Sequence, residues 1–140
     1  MAYWLMKSEP DTWSWDQQVA KGAQGEAWSG VRNHQAKLNL MRMKKGDRAF
    51  FFHSQVGKEI VGVVEVIREH YPDPTAEAGA PWVAVDVKAI APMPKPLTLA
   101  AARKEPELKD MILVNNTRLS VQPVTEAEWK YICKQSGLNL

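Results

Sequence analysis

The sequence predicts an α+β domain that is mostly β: a largely antiparallel barrel with short helices packed around it. Three observations lead there. The strand-like segments are uneven in length, and the short helix signals between them never settle into a regular strand–helix–strand alternation. Trp82 to Ala91 alternates, with Val83, Val85 and Val87 on one face and Ala84, Asp86 and Lys88 on the other, as in a half-buried strand. With 140 residues and a single cysteine, the chain is one domain, residues 1–140, long enough to bury a core without disulfide staples.

Taken in order, Tyr3 to Lys7 reads as a first strand, apolar on both faces and therefore central, ended by Pro10. Ser14 and Gln17 form a capping box for a helix through Lys21, stopped by Gly22. Glu26-Ala27-Trp28 is a brief extended piece. Asn33 stands where an N-cap belongs, and Ala36, Leu40 and Met43 follow at helical spacing. Lys44 to Asp47 is a turn. Arg48 to His53 is a strand carrying the core run Phe50-Phe51-Phe52, and Glu59 to Glu69 is a long strand in which Gly62 marks a bulge or a close backbone approach. Tyr71 to Thr75, with two prolines, is an extended loop. After the Trp82–Ala91 strand, Pro92, Pro94 and Pro96 are expected to form a stiff connection to a short helix over 98–104. Arg118 to Gln122 is a last strand broken at Pro123. Thr125 and Glu128 cap a C-terminal helix through Gln135, closed by Gly137.

Composition excludes more than it identifies. No apolar run approaches the length of a membrane-spanning helix, and no basic region leads into a signal-peptide core, so the expected address is the cytoplasm, or the nucleus in a eukaryote. His34, His53 and His70 lack metal-ligand spacing, and the lone Cys133 reads as a small buried hydrophobe; no metal and no cofactor are expected. His53 and Ser54 are adjacent on a strand end and point to opposite faces, which spoils a nucleophile–base pair, and no phosphate-binding or nucleophile-elbow loop is present. The motifs therefore favour a non-enzyme. The net charge of +2 is too small to mark a nucleic-acid binder by itself, but six cations and one acid fall between Val31 and Arg48. That basic stripe orients a polyanion or is simply a solvated face.

The richest segment is Ala27 to Asn33, which sets Trp28 beside glycine, a guanidinium and a carboxamide ahead of a helix. A flat π-surface with a few directional polar groups suits a nucleobase. Six tryptophans exceed what a core of this size needs, and three of them (Trp4, Trp13, Trp15) cluster around Lys7-Ser8-Glu9-Pro10.

Six ordered blocks spanning the chain resemble the EVE-domain family: Trp4 to Pro10; Gly30 to Asn33 with Met43 to Asp47; Phe52 to Ser54 with Ile60 to Val66; Tyr71 to Thr75; Trp82 to Val87; and Arg118 to Thr125. The resemblance implies a PUA-like bent barrel related to YTH and ASCH domains, and a pocket that reads a modified base. The chain looks more like a bacterial stand-alone member than like the nuclear eukaryotic members with their long basic N-terminal tail. It implies a reader of DNA or RNA, monomeric and without membrane or metal. The alternative is a sensor of a free nucleoside or another planar metabolite.

On that frame Ser8, Trp28, Asn33, His53 and Ser54 are expected to line one pocket. Trp28 stacks on the base or is core; Asn33 bonds the base edge or only caps its helix. His53 donates or accepts according to tautomer. Lys7, Glu9, Trp13, Tyr71, Arg118 and Ser120 are expected at the rim or orienting pocket residues, and Arg32, Lys37, Lys44, Lys45 and Arg48 against phosphate.

Overall fold

The computed structural model describes residues 1–116 and 118–140. Six strands form one mixed sheet in the order β2-β5-β4-β3-β1-β6, curled into a half-barrel whose end strands β2 and β6 are not hydrogen-bonded to each other. The strands are β1 (Tyr3–Ser8), β2 (Glu26–Trp28), β3 (Arg48–His53), β4 (Glu59–Pro72), β5 (Val83–Thr98) and β6 (Val121–Val124). The helices are α1 (Trp15–Ala20), α2 (His34–Arg42), α3 (Leu99–Ala102), α4 (Ile112–Asn115) and α5 (Glu126–Ser136). Among the described residues only β1 and β3 run parallel, joined by the crossover through α1, β2 and α2; every other pairing there is antiparallel.

Strand alternation splits the phenylalanine run between two cores, one on each face of the sheet. Phe51 joins Trp4, Met6, Trp15, Trp28, Leu40 and Met43 under α1 and α2. Phe50 and Phe52 join Leu5, Leu113, Trp129 and Ile132 under α3, α4 and α5. The helix caps form as the sequence expects: Ser14 with Gln17, Asn33 with the Ala36 amide, and Thr125 with Glu128. Gly62 is a close approach. A Cβ there would lie 2.4 Å from the Trp15 ring, and the β3–β4 and β4–β5 registers both shift beside it.

Three expectations fail, all around prolines. β4 runs past Glu69 to Pro72, paired with Val83, so Tyr71 and Pro72 are strand and not loop. β5 continues through Pro92, Pro94 and Pro96 to Thr98 instead of ending at Ala91. β2 covers β5 only over Val85 to Val87, so beyond it one side of β5 is an edge where a missing N–H breaks no ladder. Pro123 sits inside β6 for the same reason: β6 pairs on one side only, with β1, and begins at Val121 instead of Arg118. Helix α4 had no clear signal.

Most of the tryptophan surplus is core. Trp4, Trp15, Trp28 and Trp129 are each less than 9% exposed, while Trp13 and Trp82 are half-buried. The Trp4 indole N–H donates to buried Asp47 (3.1 Å), whose carboxylate also accepts from the backbone of Ala2 and Lys44 and so ties the strand start to the basic turn.

A cleft at the carboxyl ends of β1 and β3

The parallel pair β1 and β3 ends at Ser8 and His53, and the Ser54 amide donates to the Ser8 carbonyl (2.9 Å), which holds the two strand ends together. Beyond β1 the chain reverses: the amides of Thr12 and Trp13 both donate to the Glu9 carbonyl. This turn lays Trp13 opposite β2. Between them opens a cleft of about 460 Å³ lined by Lys7, Ser8, Glu9, Thr12 and Trp13 on one side and by Glu26, Ala27, Trp28, Ser29 and Gly30 on the other. That volume lies within the range of small-ligand sites, roughly 300–1,000 Å³.

Each wall is held from behind. The Ser8 hydroxyl donates to the Trp13 carbonyl (2.6 Å), so toward a ligand its oxygen acts as an acceptor. The Trp13 indole N–H donates to Gln18 Oε1 (2.9 Å), and Gln18, fully buried on α1, donates in turn to the Val87 carbonyl of β5 (3.1 Å). On the other wall the Gly30 amide donates to Asp73 (2.8 Å), which also accepts from Arg32 (3.0 Å) and from the amide and hydroxyl of Thr75 (2.7 Å each). Burial pushes the Asp73 carboxyl up, but these bonds outweigh it and hold the group at about 2. Gly30 adopts φ +84°, open to glycine and strained for other residues. Burial lowers the pKa of Lys7, whose ammonium lies 5.8 Å from the Phe52 ring centre.

The residues expected in one pocket are only partly brought together. Ser8, Trp28, Lys7, Glu9 and Trp13 line the cleft. Asn33 does not; its side chain is the α2 cap, and the residue is exposed. His53 stands behind the cleft. Its Nε2 accepts from the Trp15 amide (3.0 Å), and its ring and that of Trp28 both pack edge-on against Phe51, at 5.7 and 5.4 Å. Burial pushes the His53 pKa down, against the pull of Glu59 and Asp16 upward. Ser54 faces an adjoining cleft. Ser120 accepts the Lys7 amide through its carbonyl (2.9 Å), which anchors the end of β1. Arg118 is exposed, and Tyr71 lies away from the cleft with its hydroxyl on Asp86 and Arg68 over its ring.

The basic stripe does not reach the cleft either. Arg32 is held by Asp73, and Arg48 is paired across the sheet with Glu65 (3.8 Å), which Lys88 also meets. Lys37 lines a separate shallow groove beside Trp82, and Lys44 and Lys45 are exposed on the turn before β3. Thr12, Glu26, Ser29 and Gly30 line the cleft without having been singled out as site residues; only the tight spacing of Ala27 to Gly30 around Trp28 hinted at the last two. Among the described residues, no group of three or more His, Cys, Asp and Glu side chains is arranged to hold a metal, and no helix is long and apolar enough to cross a membrane.

The EVE domain family model matches residues 2–135. The chain belongs to the EVE domain family. It is similar to human thymocyte nuclear protein 1, at 32% identity over 94% of this chain and 72% of the human one. A solution structure of Rpa0253 from Rhodopseudomonas palustris is 63% identical over 98% of this chain and 94% of its own, with a TM-score of 0.92. Human THYN1 protein, solved in complex with 5-methylcytosine-containing DNA, is 30% identical over the whole of both chains, with a TM-score of 0.89. The YTH domain of Zygosaccharomyces rouxii MRB1, at 20% identity and a TM-score of 0.59 over 96% of this chain and 86% of its own, shares the fold, as expected of a PUA-like barrel.

Proposed function

We propose that this EVE domain is a non-catalytic reader of a modified cytosine in DNA, with the base turned out of the helix into the cleft between Trp13 and Trp28. The observation that carries the reading is the cleft's chemistry: two indoles with polar groups of mixed sign, Lys7 against Glu9 and Glu26. Such a lining repels a bare phosphate and suits an uncharged planar ring. The edge of cytosine pairs an amino donor with ring acceptors, and a carboxylate accepting from that amino group while an ammonium donates to the acceptors is favourable recognition chemistry. Thymine puts a carbonyl where cytosine has the amino group, and a carboxylate would face it unfavourably. The human relative solved with 5-methylcytosine-containing DNA supports the same ligand class.

Trp13 is the stacking surface in this reading, because it is half-buried and keeps ring surface to offer. Trp28, at 7% exposure, forms the floor of the cleft. The test is fluorescence anisotropy with duplexes that differ only in one 5-methylcytosine. Preference for the modified duplex is expected; equal binding of modified and unmodified DNA removes the reading. A matched RNA strand and the free nucleoside 5-methyl-2′-deoxycytidine complete the set. Should the nucleoside alone bind as tightly as the duplex, the small-molecule sensor takes the reader's place.

A further inference from the structure

A second and larger cleft, of about 710 Å³, adjoins the first and shares Lys7 with it. Its other lining residues are Phe52, Ser54 to Lys58 of the β3–β4 hairpin (Val56 apart), Thr98, Leu99, Ala100 and Arg103. Three cations, Lys7, Lys58 and Arg103, line it with hydroxyl and amide side chains and no carboxylate. Neither Lys58 nor Arg103 forms an ion pair among the described residues. Glu59 approaches Gly57 and acts on His53, but it does not line the cleft.

The two walls are preassembled. The Leu99 amide donates to the Lys58 carbonyl (2.8 Å), which fixes the hairpin against α3. Gln55 and Lys58 are held at positive φ, +66° and +44°, which orients this short hairpin at some conformational cost. The contrast with the first cleft is one of charge: mixed there, uniformly positive here.

We propose that this basic cleft binds the phosphodiester backbone flanking the base held in the first cleft, with Lys7 at the junction and Lys58 and Arg103 as phosphate contacts. This rests on the base-reading proposal for the neighbouring site and replaces the Arg32–Arg48 stripe as the backbone track. Arg32 and Arg48 are already neutralised by Asp73 and Glu65, so they release few counterions on binding DNA. Lys58 and Arg103 have no such partner, and a bidentate guanidinium suits a phosphate.

The test is a salt titration of duplex binding, with one 5-methylcytosine, for the wild type, for Lys58→Gln with Arg103→Gln, and for Lys44→Gln with Lys45→Gln. Losing two contacts should flatten the log–log salt slope by about 1.8. The affinity lost between 50 and 200 mM salt should then shrink by roughly tenfold. The Lys44/Lys45 variant should keep the wild-type slope, and binding of free 5-methyl-2′-deoxycytidine should be the same for all three proteins. An unchanged slope in the Lys58/Arg103 variant, or a flattened one in the Lys44/Lys45 variant, overturns the proposal. If modified and unmodified duplexes bind alike but the slope still falls with Lys58 and Arg103, the backbone site stands and the base-reading proposal fails alone.

Discussion

Replacing Trp13 with alanine separates recognition from folding at this site. Trp13 is half-buried, and its indole N–H is bonded to Gln18 Oε1. Removing it takes away a neutral hydrogen bond, which contributes about 1 kcal/mol, together with the packing of a half-buried ring against the core under α1 and α2. The melting temperature should therefore drop, but by less than for a fully buried tryptophan. A stacking surface for a base contributes about 1–3 kcal/mol, so affinity for a 5-methylcytosine duplex should fall by roughly 5- to 150-fold. Trp28→Ala makes the contrast. Trp28 is 7% exposed and packs edge-on on Phe51 at 5.4 Å, so its loss should cost about 3–5 kcal/mol of stability, as for a buried aromatic. Anisotropy reads the first effect and chemical denaturation the second. A folded Trp13→Ala protein that binds the modified duplex as tightly as the wild type would refute the assignment of Trp13 as the stacking surface.

Three further outcomes follow from groups that shape the cleft. The lowered His53 pKa means the unfolded chain takes up a proton first as pH falls, so stability is full above about 6.5 and is lost as pH drops from there through the folded pKa. In urea denaturation, His53→Gln, whose amide oxygen can accept the Trp15 bond at any pH, should flatten the decline between pH 7 and 5. Asp73, held at about 2 against an ordinary 3.8, contributes roughly 2 kcal/mol that is present above its ordinary value and lost as pH falls toward 2. Asp73→Asn should therefore be less stable than wild type at pH 7, with the gap narrowing at pH 3 in guanidinium titrations. Gly62→Ala forces a methyl into the Trp15 ring and should destabilise by about 1–3 kcal/mol; a stability equal to wild type in urea would show that the ring has room to move.

Local signals in the sequence proved dependable where local physics decides the outcome. Asn33 and the two capping boxes satisfy helix amides within three residues, and the phenylalanine run divides between two faces because strand period alone dictates it. Gly62 announced its close approach by interrupting a valine-rich strand. The prolines misled because their tolerance depends on which side of β5 and β6 lacks a neighbour, a property of the whole sheet. The cleft was half legible. Lys7, Ser8, Glu9, Trp13 and Trp28 stand in two conspicuous clusters, but Thr12 and Glu26 enter only through the turn after Glu9 and the β2–β5 register. That Arg32 pairs with Asp73 was not legible either, because the two lie 41 residues apart in sequence. Gln18 lies only five residues from the Trp13 it orients, but the Val87 carbonyl that holds Gln18 in place is 69 residues away in sequence.

The central claim is that a modified base occupies the cleft between Trp13 and Trp28. The most direct test is a two-dimensional amide spectrum of the ¹⁵N-labelled protein titrated with a 5-methylcytosine duplex, in which all the tryptophan indole N–H signals serve as internal probes. The account predicts that the indole signals of Trp13 and Trp28 and the backbone amides of Ser29 and Gly30 move on binding, while the Trp4 and Trp129 indoles, buried on Asp47 and under Phe50, stay in place. Shifts confined to Lys44, Lys45 and the α2 surface, with Trp13 and Trp28 unmoved at saturation, would contradict it.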